Sequence, residues 1–159
     1  MPVKPVPDGY HTVTAYLVVA GAARAIDFYR EAFGATELSR LPMGDKLGHA
    51  EVRIGDTHLM LSDEWPEMGL LGPAARGGAT SSFVIYGPDA DAAFARALAA
   101  GATVERDVAD QLWGDRMGVV VDPFGHRWSL ATHIEDVSPD ELARRMQAWT
   151  ASRDAATGA

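Results

Sequence analysis

Two groups of side chains in this sequence are of types that do chemistry. His49, Glu51 and His58 fall on the runs HAEVRI (49–54) and THLMLS (57–62), separated by Gly55-Asp56, a two-residue signal for a tight hairpin. Opposed across that turn, Arg53 pairs with His58, Glu51 with Met60 and His49 with Ser62, all on one face, while Ala50, Val52, Leu59 and Leu61 share the other. Two imidazoles and a carboxylate on one face suit zinc, manganese or nickel. Glu51 with His49 is also the best candidate for a catalytic acid–base pair. His and Glu alternating on a half-exposed strand equally make a solvated or salt-bridged face, and that reading is favoured over a metal cluster.

The second group is Trp113-Gly114-Asp115-Arg116. Glycine permits a sharp bend, Trp113 offers a stacking wall, and Asp115 with Arg116 either clamps a polar ligand group or forms a bridge that fixes the loop. Nearby, VVVDPFGHRWSLATH (119–133) reads as strand, turn and strand, with His126 in the turn and His133 beyond the strand, both expected at the surface. A Gly-rich phosphate loop after a strand is lacking, and no Ser–His–Asp set follows from spacing.

Composition limits the remaining chemistry. The chain has no cysteine, so disulfides, thiolate nucleophiles and Cys-ligated metals are excluded, and any metal must be held by its five His or by carboxylates. A formal charge of −8 without a Lys/Arg cluster argues against nucleic acid or an anionic membrane as partner. No run approaches the ~20 apolar residues of a membrane helix, and MPVKPVPDGY lacks the apolar core of a signal peptide. A soluble cytoplasmic protein that binds a small molecule is therefore expected. Its 159 residues suit one domain.

The elements that must position these groups come twice in one order. VTAYLVV (13–19) reads as a strand, and AARAIDFYREAFGA has Ala22, Ile26, Tyr29 and Phe33 at helical spacing before Gly34. TELSRL (36–41), a loop at PMGDK and the 49–62 hairpin complete a βαβββ unit. From Ser81 the order repeats: SSFVIY, the helix PDADAAFARALAAGA, TVERDV, then MGVVV and WSLATH across the DPFG turn. The segment DEWPEMGLLGPAARGGA (63–79) links the units and could act as a flap. Ser138-Pro139-Asp140-Glu141 is a capping box that opens an amphipathic helix carrying Leu142, Met146 and Trp149, a face that needs somewhere to dock. The fold class predicted is α+β: two tandem βαβββ modules, about 10–62 and 80–133, forming a curved mixed sheet around a cavity. With a C-terminal helix at about 138–152 they make one domain over 1–152, followed by a disordered tail at 153–159.

Paired βαβββ modules, AIDFYREAFGA after the first strand and VVDPFGHRWSL near the end resemble the vicinal oxygen chelate superfamily of glyoxalases, bleomycin-resistance proteins and extradiol dioxygenases, over about residues 10–133. HAEVRIGDTHLMLSDE, the GDR before the last hairpin and ATHIEDVSPDELARRM resemble its PhnB-like branch. The resemblance implies helices on the convex side of the sheet and a homodimer, but no single activity. Metal-bearing members take one ligand from the first and one from the last strand of each module. Those positions carry over to Thr14, Met60, Ser82 and Ser129, none of them His or carboxylate, so neither a metal nor another cofactor is expected.

Strand parity puts Thr14, Tyr16, His58, Met60, Ser82, Tyr86, Arg127 and Ser129 toward the cavity, and with Trp113 and Arg116 they form the expected ligand-binding set. The acidic charge suits a cationic ligand, whereas Arg53, Arg116 and Arg127 suit an anionic one, and both stay open. Metal-free binding of a small organic molecule, as in sequestration or resistance, is the function expected. The alternatives are a lyase, isomerase or dioxygenase with a metal displaced to His49, Glu51 and His58, and an interaction module that uses the 138–150 helix.

Overall fold

The computed structural model describes residues 3–157. The first module runs β1 (Tyr16–Val19), α1 (Ala22–Phe33), β2 (Thr36–Met43), β3 (Lys46–Ile54) and β4 (Thr57–Asp63). The second runs β5 (Ser82–Tyr86), α2 (Ala90–Ala99), β6 (Thr103–Asp110), β7 (Asp115–Val121) and β8 (Arg127–His133). Each module makes its own four-stranded sheet, ordered β1-β4-β3-β2 and β5-β8-β7-β6, with one parallel pair and two antiparallel pairs. The expected α+β duplication is thus present, as two sheets rather than one continuous sheet.

Local chemistry accounts for the boundaries. Gly34 and Gly44 both have φ near +66°, which lets Gly34 close α1 and Gly44-Asp45 turn β2 directly into β3, where a loop at 42–46 was expected. Pro42, with no N–H to donate, is tolerated because β2 is an edge strand and its register slips at that point. Asp89 caps α2 by accepting the Ala92 N–H at 2.9 Å. For α1 the cap comes from a distance: Gly21 has no side chain, and the Asp63 carboxylate at the end of β4 accepts the Gly21 and Ala22 N–H groups.

Alternate strand residues are buried beneath the helices. Leu17, Val19, Ala50, Val52, Leu59 and Leu61 face α1, while Val120, Trp128 and Leu130 lie on the helix side of the second sheet. The helices also pack on each other, so one hydrophobic core is shared by both modules. Phe33 and Tyr29 of α1 reach the Trp128 ring at 4.7 and 5.4 Å between centroids. No helix among the described residues packs on the opposite faces, where Tyr16, Val84 and Tyr86 are exposed and Ser62, Val119, Ser129 and Ala131 are buried.

The joint between the modules is a buried carboxylate. Asp122, in the β7–β8 turn, accepts the Tyr29 hydroxyl and the Trp128 indole N–H on one oxygen and the Phe124 and His126 N–H groups on the other, all at 2.9 Å. His126, expected at the surface, is buried instead, because its ring bonds the Val18 carbonyl at 3.1 Å across the module boundary. The linker holds two single turns of 3-10 helix, Pro66–Met68 and Ala74–Arg76, and the Trp65 ring lies 4.8 Å from the Lys46 ammonium.

Helix α3 (Pro139–Thr157) continues past residue 152, so residues 153–157 of the expected tail are helical; residues 158–159 lie outside the described residues. It is tethered near its start by Arg145, which bonds Glu135, Glu141 and the Leu112 carbonyl, and none of its described residues is buried.

Replacing Asp122 by Ala leaves two ring donors and two backbone donors without an acceptor. A loss of about 3 kcal/mol or more is expected, read as a fall in the urea midpoint. Asp122→Asn, which keeps an acceptor oxygen, is expected to lose less.

Candidate functional site

The uncovered face of the first sheet holds a continuous hydrogen-bonded chain. The register pairs Glu51 with Met60 and Arg53 with His58, as the hairpin spacing predicts, so His49, Glu51, Arg53, His58 and Met60 share this face with Tyr16. The Tyr16 hydroxyl lies 3.1 Å from His49 Nδ1, and His49 Nε2 lies 3.1 Å from Glu51 Oε1. The other Glu51 oxygen accepts the Tyr10 hydroxyl. Donation from Tyr10 and then from His49 holds the Glu51 carboxyl below the usual range. Burial first, then the Glu51 carboxylate, pushes the Tyr10 phenol up to about 12.

Tyr10 is the functional residue that strand periodicity missed, because it lies in the leader, ahead of every regular element. Its ring meets His58 edge-on at 4.6 Å between centroids. The turn beneath it requires Gly9: at φ +84°, a Cβ there would stand 2.4 Å from the His58 ring. Asp8-Gly9 before an aromatic residue was the available signal for a turn. His58 Nδ1 is buried and has no hydrogen-bond partner among the described residues.

On the second sheet the corresponding centre is Asp115. It is 3% exposed; its Oδ2 accepts the Tyr86 hydroxyl at 2.8 Å and the Trp113 indole N–H at 3.0 Å, while Oδ1 lies 2.9 Å from His133 Nδ1. Burial pushes the Asp115 carboxyl up, but the bonds from His133, Tyr86 and Trp113 together outweigh it and the net direction is down. The other His133 nitrogen bonds Asp136 at 3.0 Å, and the two carboxylates raise the His133 pKa, Asp115 foremost. Gly114 makes the bend possible: at φ +95°, a Cβ would stand 2.0 Å from the Glu135 carbonyl oxygen.

The expected ligand-binding set is thus divided. Tyr16, His58 and Met60 lie on the first face, and Ser82, Tyr86, Arg127 and Ser129 lie on the second, beside Trp113. Thr14 precedes β1 and donates to the His11 carbonyl. Arg116 points the other way: strand alternation puts it on the helix side, where it bonds both oxygens of Asp91 in α2 and also Asp110. Asp115 and Arg116 therefore do not pair with each other. Arg127 is bonded to Glu105 at 2.7 Å and borders a groove of about 480 Å³ that also takes in Pro73, Ala79 and Gly125. Among the described residues no three His, Asp or Glu side chains come together as a metal-ligand group, so His49, Glu51 and His58 do not form one.

Residues 10–130 match the model of the Glyoxalase/Bleomycin resistance protein/Dioxygenase superfamily. The chain belongs to that superfamily. A Mycobacterium bovis relative, uncharacterized protein Mb0911c, is 48% identical over 138 residues, covering 84% of this chain and 91% of its own length. The solved Arabidopsis thaliana AT5G48480 gene product shares 26% identity with a TM-score of 0.63, over 78% of this chain and 98% of that one. A Bacillus cereus PhnB protein, described as a putative 3-demethylubiquinone-9 3-methyltransferase, matches at 19% identity and TM-score 0.59, over 77% and 99% of the two chains. At that identity the likeness shows the fold alone. No helix among the described residues is long and apolar enough to cross a membrane.

His133 gives this site a pH signature. Its folded pKa lies above the ordinary 6.5, so the stabilisation from its cation is complete below that value and is lost as pH rises through the folded pKa. In an NMR titration the His133 ring is expected to titrate above the free-histidine midpoint, and Asp136→Asn is expected to lower that midpoint. A midpoint at or below 6.5 would rule out the bridge of His133 to Asp115 and Asp136 in solution.

Proposed function

We propose that this protein binds a small organic molecule on its two uncovered sheet faces, without a divalent metal, and that a second copy of the chain closes over them. The observation that carries this reading is that exposed aromatic rings are anchored. Tyr16, Tyr86 and Trp113 are 46%, 62% and 41% exposed, yet each is held through its polar atom by a hydrogen bond to His49 or Asp115. Fixing an exposed ring costs side-chain entropy with no gain from burial. A partner molecule that stacks on the rings supplies that gain, and rings already fixed bind it at lower entropic cost.

The metal-free part rests on donor chemistry. The positions carried over from metal-bearing relatives hold Thr14, Met60, Ser82 and Ser129, and Glu51 is already engaged by Tyr10 and His49. Sequestration of a harmful compound in the cytoplasm is the role such binding would serve. Native mass spectrometry of freshly purified protein is expected to find a carried organic molecule and no stoichiometric divalent ion. A bound ion that disappears in Glu51→Ala would establish the displaced metal site instead.

The homodimer is supported by α3. A helix of 19 residues in which none of the described side chains is buried is marginal in water, and Met146 and Trp149 are more than 40% exposed on it. Sedimentation is expected to give a dimer for the full chain and a monomer for a chain ending at Val137, with unchanged circular dichroism from the core. A truncated chain that stays dimeric would reject α3 as interface.

A further inference from the structure

The chain of hydrogen bonds on the first face has one open end. Both Glu51 oxygens are taken, one by Tyr10 and one by His49, so Glu51 positions the imidazole instead of meeting a ligand. With its Nε2–H directed at Glu51, His49 presents Nδ1 as an acceptor, and the Tyr16 hydroxyl donates to it. What remains open is the Tyr16 oxygen, on an exposed side chain at the edge of the face. A proton delivered to that oxygen can be matched by release of the hydroxyl's own proton to His49, which Glu51 then stabilises as imidazolium.

The same face carries a cation with nothing to neutralise it. The guanidinium of Arg53, exposed on β3 two positions beyond Glu51, enters no ion pair or side-chain hydrogen bond among the described residues. The face also carries apolar surface, from Met60 opposite Tyr16 and from Leu41, 59% exposed opposite His49. Tyr10, already donating to Glu51, and His58, packed under Tyr10, are further titratable groups on this face. A receptor that holds a weak acid as its anion needs a place for the proton and a cation for the charge, and both are here.

We propose that the first face binds weakly acidic hydroxyl compounds of the phenol or enol class as their anions, with Tyr16 as the proton-transfer group. This rests on the reading that the sheet faces hold an organic ligand. The ligand O–H bond breaks and its electron pair stays on the ligand oxygen. The proton forms a new O–H bond on Tyr16, whose original proton moves to His49 Nδ1. The products are a ligand anion beside Arg53 and an imidazolium beside Glu51, and nothing is oxidised or reduced.

The test uses the full-length protein and para-nitrophenol, colourless as the phenol and yellow as the phenolate. Equilibrium dialysis measures total bound probe, and absorbance measures its ionisation at a pH where the free probe is mostly phenol. The bound probe is expected to ionise about one pH unit lower than the free one, a gain of about tenfold in phenolate over phenol. Tyr16→Phe and His49→Gln, each checked for folding by circular dichroism, are expected to retain bound probe and lose the shift, and Arg53→Gln to lose part of it. Binding without a shift in the native protein, or a full shift in Tyr16→Phe and His49→Gln, overturns the proton-transfer inference and leaves the ligand-site reading standing. A protein that retains no probe overturns the inference, and absence of a carried molecule in the native mass spectrum counts separately against the broader reading.

Discussion

The arrangement of this molecule depends on the four hydrogen bonds accepted by Asp122. One oxygen shapes the β7–β8 turn through the Phe124 and His126 N–H groups; the other ties Tyr29 of the first module to Trp128 of the second. A carboxyl group is tolerated at 4% exposure because its four donors supply the hydrogen bonds that water would have supplied. Burial and the Asp122 carboxylate together push the Tyr29 phenol well above its ordinary pKa, so Tyr29 stays a donor. With α1 fixed to the second module through this point and packed against α2, both sheets turn their other faces away from the shared core.

Those outward faces share a design. Each has a carboxylate at its centre, Glu51 or Asp115, bonded on both oxygens by a histidine and by aromatic donors. In each case one carboxylate orders several rings that would otherwise be free. The centres differ in wetness: Asp115 is nearly sealed and its histidine bridges to Asp136, whereas the first chain runs out to the exposed Tyr16. The second centre is thus a scaffold for Tyr86 and Trp113, and the first ends in an exposed tyrosine at its rim.

Much of this was legible from residue order alone. The Gly55-Asp56 turn determines which of His49, Ala50, Glu51 and Val52 share a face, since side chains alternate and a tight turn sets the register. Repeated strand–helix punctuation determined the duplication, and the spacing of Ile26, Tyr29 and Phe33 determined the buried side of α1. Membership of the superfamily was readable from the DPFG turn and the AIDFYREAFGA helix, because both encode local geometry.

Tertiary structure alone decided which of these polar groups meet. Tyr10 reaches Glu51 across 41 positions and Asp122 reaches Tyr29 across 93, and no periodicity carries such pairings because they depend on how whole elements pack. For the same reason His126 is buried, Arg116 turns to Asp91 instead of to a ligand, and of the matched positions Met60 lies on one sheet, Ser82 and Ser129 on the other, and Thr14 ahead of β1. Local sequence determines which way each side chain points from its own strand; what stands opposite it is set by distant residues and the shared core.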